Sequence, residues 1–260
     1  MLYRDLAPLT EAAWKEIDER AVKVLKNYLS ARKVVRVNGP KGLGFNGLSE
    51  GRLGEVINDG NACYANYNLI PLTETRIEFE LDRWELDNVN RGAKDVELGP
   101  MEEALEELAL LEDKAVFHGL ISAGIKGLDA YGEEAIAFGN TDEEIMDSVL
   151  TGVLRLRENY VGGSYTLVLG KETYRKVLSI ATTYPLKRKI ESLIEGKILL
   201  SQAIEGAYLL PYDHEDLELT IGQDFSIGYQ NHTSEKVKFF ATESFAFRVI
   251  DPTLVVKYTV

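Results

Sequence analysis

One cysteine, Cys63, stands in a chain of 260 residues. Its isolation excludes an internal disulfide framework and any cysteine-rich zinc or iron–sulfur site, so whatever staples the fold is non-covalent. Histidine is nearly as scarce. His118, His214 and His232 show no HxH, HExxH or ExxH spacing, and neither a metal set nor a catalytic triad is built from them. Positive charge falls short as well, with 29 Lys and Arg against 42 Asp and Glu, a formal net charge of −13 and a pI of about 4.8. That is the wrong sign for counterion-release binding to nucleic acid or for an anionic membrane surface, so neither is expected as a partner. No apolar stretch approaches the length of a bilayer span, and the opening Met-Leu-Tyr-Arg-Asp lacks the basic and apolar regions of a signal peptide. A cytoplasmic protein is the expectation. Internal repeats and low-complexity tracts are missing too. What is present in quantity is globular material, 45% hydrophobic and 27% charged, enough for a chain of this length to bury roughly 70–75% of its extended surface.

Trp14, Ile17, Ala21, Val24, Leu25 and Tyr28 recur at three-and-four spacing behind Thr10, which predicts a capped amphipathic helix over residues 11–29. A short β-rich run, residues 33–37, follows. Residues 38–68 then carry seven glycines and little periodicity; a loop of that length inside a compact domain is usually functional or disordered. Residues 77–86 alternate apolar and charged side chains, the period of a strand with one buried face. Together these read as an extended two-stranded excursion with a glycine-rich tip. Pro100 opens a second long helix, to about residue 123, with Glu102, Glu103, Glu106 and Glu107 in the early turns that the helix dipole favours for anions. Thr141 with Glu144 forms a capping box for a third helix, to about residue 157. Residues 165–169 read as a buried strand, 171–180 and 185–195 as short helices, and 197–200 as strand. From residue 216 onward strands dominate, over 217–221, 225–229, 237–250 and 254–258.

Chemistry of the reacting kind finds little footing. Gly42-Leu-Gly-Phe-Asn-Gly47 satisfies GxGxxG, but the next residues hold two more glycines and offer no helix N-terminus for a pyrophosphate. Gly39-Pro-Lys-Gly42 lacks the ending of a phosphate loop. Asp82, Glu85 and Asp87 read as the polar side of a strand, and spacing selects no acid–base pair among 42 carboxylates. His118 reads as a helix residue at a core or subunit edge, and His214 as part of a solvated acidic loop. Cys63 reads as exposed and incidental. No catalytic and no metal residue is assigned.

Several segments together resemble the encapsulins, the shell proteins related to tailed-phage capsid proteins and formerly described as linocin-type bacteriocins. They include Leu6-Ala-Pro-Leu-Thr10 with Trp14, Glu16-Ile-Asp18 and Arg20-Ala21; Arg32-Lys33; Gly39-Pro40; Leu81-Asp-Arg-Trp-Glu-Leu-Asp-Asn88; Gly127-Leu128; Tyr165-Thr-Leu-Val168; Tyr184-Pro-Leu186; Gly222-Gln-Asp-Phe-Ser-Ile-Gly-Tyr229; and Thr242-Glu-Ser-Phe-Ala-Phe247. The glycine-rich excursion departs most from the pattern.

The resemblance implies an α+β, HK97-like capsid fold. Its peripheral domain would take residues 1–38, 74–132 and 222–260, its extended loop residues 39–73 and its axial domain residues 133–221. It also implies a non-enzymatic subunit that self-assembles into an icosahedral nanocompartment. Such a shell encloses cargo, a ferritin-like iron-storage protein or a dye-decolorising peroxidase, whose C-terminal targeting peptide docks beside the N-terminal helix. Leu25, Leu29, Arg32 and Val35 are the candidates to receive it, and they read equally well as core and connector positions. Thr182, Thr183 and Tyr184 would fall at a five-fold pore, where an acidic shell favours small cations. No cofactor is required. Some members of the family carry a flavin (FMN), and Arg76, Trp84 and Tyr184 suit an isoalloxazine ring by charge and stacking, although an aromatic in an alternating strand is more often simply packed. Two readings from other classes stay open: a flavin-dependent oxidoreductase or linocin-type peptidase, and a prophage capsid subunit.

Overall fold

The computed structural model describes residues 1–180 and 184–260. Its first half runs α1 (Glu11–Tyr28), β1 (Arg36–Asn38), β2 (Gly47–Leu53), β3 (Ile57–Asp59), β4 (Ala62–Tyr64), β5 (Tyr67–Pro71), β6 (Thr73–Asp82), α2 (Arg83–Arg91) and α3 (Gly99–Phe117). There follow β7 (Ile136–Ala137), α4 (Asp142–Glu158), β8 (Tyr165–Leu169), α5 (Lys171–Ser179), α6 (Leu186–Leu193), β9 (Lys197–Leu200) and β10 (Ala207–Pro211). The chain ends with β11 (Leu217–Ile221), β12 (Ser226–His232), β13 (Lys236–Val249) and β14 (Val256–Thr259).

The 14-residue β13 is the spine of the first sheet. β6 lies antiparallel along one edge; β12 and then β11 share the other, and β1 adds to β11 in parallel. Because side chains alternate across a strand, one face of this sheet is free to receive helices. Ile17 and Ala21 of α1 and Met101, Leu105 and Leu108 of α3 pack there on Phe79 and Leu81 of β6 and Phe239 of β13. Phe79 and Phe239 stack at 5.5 Å, and Trp14 meets Phe239 edge-on at 5.6 Å. Each such side chain contributes about 1.5–3 kcal/mol by leaving water.

The second sheet has the order β7-β14-β10-β8-β9, and a second core gathers residues from α4, α5, α6 and these strands. Leu217, Leu219, Phe245 and Phe247 of the first sheet belong to this core too, which joins the two halves. The Thr141 capping box is present, with Thr141 Oγ1 accepting from the Glu144 amide and the Glu144 carboxylate accepting from the Thr141 amide.

Several sequence expectations are corrected. The strand over 77–86 ends at Asp82, whose carboxylate accepts from the amides of Trp84 and Glu85 and so starts α2. Glu85 and Asp87 therefore lie on a helix, not on a strand's polar side. α3 ends at Phe117, not near residue 123, because Gly119 (φ +91°) turns the chain until its backbone touches Gly127, where any Cβ would collide with the Gly119 amide. β11, expected with residues 133–221, hydrogen-bonds in the first sheet, and β14, expected with residues 222–260, completes the second. Both strands, Leu-Glu-Leu-Thr-Ile and Val-Lys-Tyr-Thr, alternate apolar and polar side chains, and an alternation common to both does not encode which sheet a strand joins.

Candidate docking groove and assembly arm

Residues 47–71 leave the body of the protein as a ribbon. β2 pairs antiparallel with β5, Gly47 opposite Pro71 and Leu48 opposite Ile70, with a register shift between Ser49 and Leu53. A hairpin of β3 and β4 forms its tip, turning at Gly60, where φ is +59° as a tight two-residue hairpin turn requires. Leu53, Val56, Ile57, Tyr64, Tyr67 and Leu69 are exposed, Tyr67 at 73%. The GxGxxG run folds as a turn, with the Phe45 amide donating to the Gly42 carbonyl, and leads into β2 instead of a helix. It cradles no phosphate in the dinucleotide manner. Cys63 is exposed on β4.

Beside α1 a groove of about 260 Å³ is lined by Leu2, Arg4, Asp18, Ala21, Val22, Leu25, Leu105, Phe225, Ser226 and Ile227. The chain's first residues build one wall. The Tyr229 amide donates to the Leu2 carbonyl, Arg4 pairs with Asp18 at 2.8 Å, and its guanidinium lies 3.9 Å from the Trp14 ring centroid. The floor is apolar and the rim charged, the chemistry that holds an amphipathic peptide.

Of the four residues expected to receive a peptide, only Leu25 lines this groove. Leu29 and Val35 are core residues, 8% and 3% exposed, because the connector behind α1 turns inward. Arg32 is committed to Glu112, Asp224 and Glu243. Val22, Phe225 and Ile227 also line the groove and were not among the four. Val22 carried a signal, since it lies three residues before Leu25 and extends the apolar stripe around the helix; Phe225 and Ile227 arrive from two hundred residues away and carried none.

The flavin candidates lie on three separate elements. Arg76 on β6 stacks over Phe240 at 4.2 Å. Trp84 on α2 is 65% exposed with Arg91 over its ring at 5.3 Å. Tyr184, 51% exposed, precedes α6. Of the pore candidates, Thr182 and Thr183 lie outside the described residues. His118 Nε2 donates to the Ala203 carbonyl at 3.0 Å, its Nδ1 lies 2.6 Å from Asp129 Oδ2, and Tyr208 donates to the other Asp129 oxygen. With both ring nitrogens engaged, His118 is a structural tie at the end of α3. Among the described residues no His, Cys, Asp and Glu group forms a metal cluster, and no helix is long and apolar enough to cross a membrane.

A family profile described as encapsulating protein for peroxidase matches residues 1–246. The type 1 encapsulin shell protein of Mycolicibacterium paratuberculosis is 37% identical over 249 residues, 95% of this chain and 94% of the relative. The chain belongs to the encapsulin shell-protein family. The encapsulin of Rhodospirillum rubrum is 36% identical over 261 residues, 96% of this chain and 93% of its own. In fold, the encapsulin chain superposes on a virus-like particle from Pyrococcus furiosus with a TM-score of 0.67 at 16% identity, over 94% of this chain and 98% of that one. The capsid of the Myoviridae phage XM1 gives 0.57 at 14% identity, over 88% and 91%. The fold is therefore HK97-like, and this encapsulin is a structural shell subunit, not an enzyme.

Proposed function

We propose that copies of this encapsulin close into an icosahedral shell in the cytoplasm that encloses a cargo enzyme captured through its C-terminal peptide. The observation that carries the reading is the arm. A two-stranded ribbon is marginal alone in water, and this one presents six large apolar side chains with no core of its own. Symmetric closure buries such a surface against a second copy. The groove beside α1 is the proposed peptide seat, with Leu25, Val22, Phe225 and Ile227 as its apolar floor and Arg4 and Asp18 at its rim. A peroxidase is the cargo that the family's description favours, with a ferritin-like iron-storage protein as the alternative. The turn that includes Tyr184 is the proposed pore lip, and the net charge of −13 favours cations there. Trp84 offers the exposed ring for a flavin in shells that bind one.

Size-exclusion chromatography with negative-stain imaging of the purified chain tests this. Hollow particles with a co-purifying protein are expected; a monomer or dimer overturns the shell, and particles filled with nucleic acid favour a DNA-packaging capsid instead.

A further inference from the structure

Behind α1, one guanidinium faces three carboxyl groups. Arg32 Nε donates to both oxygens of Glu112 at 2.8 and 3.0 Å, Nη1 donates to Asp224 at 2.7 Å, and Nη2 donates to Glu112 Oε2 at 2.5 Å and to Glu243 Oε2 at 3.2 Å. Glu112 on α3 and Glu243 on β13 are both 0% exposed, whereas the Asp224 side chain is 45% exposed. If all three carboxyls were ionised, the cluster would bury a surplus of negative charge, which burial penalises severely. Geometry selects the one that yields. Glu112 holds the guanidinium through both oxygens and Asp224 reaches water. Glu243 meets the guanidinium through a single long contact and otherwise faces the Glu112 carboxyl, and its Oε1 is buried with no hydrogen-bond partner among the described residues.

The charged groups facing Glu243 are Arg32 from the connector, Glu112 from α3 and Asp224 from the loop before β12; its opposite residue on β6, Thr75, is neutral. Burial, then the neighbouring Glu112, drives its carboxyl well above the usual range against the pull of Arg32. The next residue on α3 extends the knot. Asp113 accepts from the Ser30 amide and hydroxyl and from the Ala31 amide, and the Ser30 hydroxyl contacts Ser201, just past β9 of the second sheet. The cluster therefore sits where α1's exit, α3, β13 and the second sheet meet.

We propose that Glu243 is held as the neutral acid in the folded encapsulin, and that its proton is a base-sensitive latch fastening the connector of residues 29–35 to α3 and β13. Deprotonation breaks only the O–H bond, passes the proton to solvent base, and leaves two carboxylates facing one guanidinium nitrogen. A carboxyl raised on folding gives stability that is full below its unfolded value and is lost as pH rises through its folded value. The latch therefore loosens in base. It belongs to the subunit, so it stands or falls separately from the shell reading.

The test uses the full chain as purified. Infrared spectroscopy at neutral pH should show a protonated-carboxyl band that E243Q removes and E112Q leaves. The thermal midpoint of the wild type should fall as pH rises from about 5 to about 9, and E243Q should flatten that slope. Parallel pH profiles in the two proteins overturn the proposal. So does the absence of the band from the wild type, a measurement that decides the matter even if the variants fail to fold. Particles forming or not forming in the same samples reports on the shell separately.

Discussion

The arm and the first sheet are built from the same strand geometry, yet their side chains are distributed in opposite ways. Along β13, Phe239, Phe240, Phe245 and Phe247 are all buried by partners within the chain. Along β5, Tyr67 and Leu69 stand 73% and 61% exposed, and among the described residues β5 pairs with β2 alone. An apolar residue contributes when it leaves water, wherever the covering surface comes from. β13 completes that step on folding, and in the proposed shell the arm postpones it until a second copy arrives. On that proposal one chain divides its apolar surface into a part that makes the subunit and a part that makes the assembly.

The comparison breaks if the arm's apolar residues are idle. Replacing Tyr67 and Leu69 together by aspartate should abolish particles and the part of the thermal midpoint that assembly supplies, while leaving the subunit's circular dichroism and a cooperative melt in place. Light scattering and negative-stain imaging check the first, a melt the second. Full-sized shells from this variant would mean that the arm does not hold copies together.

The body was more legible in the sequence than the arm or the groove, for a physical reason. Thr10, Thr141 with Glu144, and the stripe through Ile17 and Ala21 act within one or two turns, and local pattern records local interactions. The arm announced itself by glycine content, but its β2–β5 register is fixed by pairing across some twenty residues. The docking groove was half legible. Its helix wall was readable, whereas its Phe225 wall depends on a long-range contact. Leu29, Arg32 and Val35 do not line this groove, because a connector that turns inward looks in sequence like one that runs along the surface. The Asp82 cap also went unread, since alternation up to Leu81 continued by chance into the first turn of α2.

Within the body the largest single loss should come from Phe239, which stacks on Phe79, meets Trp14 and is fully buried. Phe239→Ala is expected to cost about 3–5 kcal/mol, read by denaturant unfolding. A loss near that of a surface substitution would mean that the first core is not where the subunit's stability resides.

Asp113→Asn should cost less, about 1–3 kcal/mol, because an amide supplies one acceptor oxygen where Ser30 and Ala31 present donors to two. Its pH signature is separable. Burial, opposed by the Ser30 and Ala31 hydrogen bonds, pushes the Asp113 carboxyl up from 3.8 to about 6. Stability from this group is therefore full below about 4 and lost as pH rises through about 6. The asparagine variant should lack that portion of the slope, and an unchanged slope would place the titration elsewhere.

The smallest effect belongs to Trp84, and the chain's other tryptophan shows why. Trp14 lies between Phe239 and the Arg4 guanidinium and belongs to the first core, whereas Trp84 is 65% exposed and touched on its ring by Arg91. Trp84→Ala is accordingly expected to change stability by about 0.5 kcal/mol or less. The proposed shell gives this exposed ring one of two partners, a neighbouring copy or a flavin stacked on its face. If flavin is the answer, purified shells absorb in the visible and the variant's do not. If shells of the wild type are colourless and the variant assembles more weakly, the ring is a subunit contact of the same kind as Tyr67.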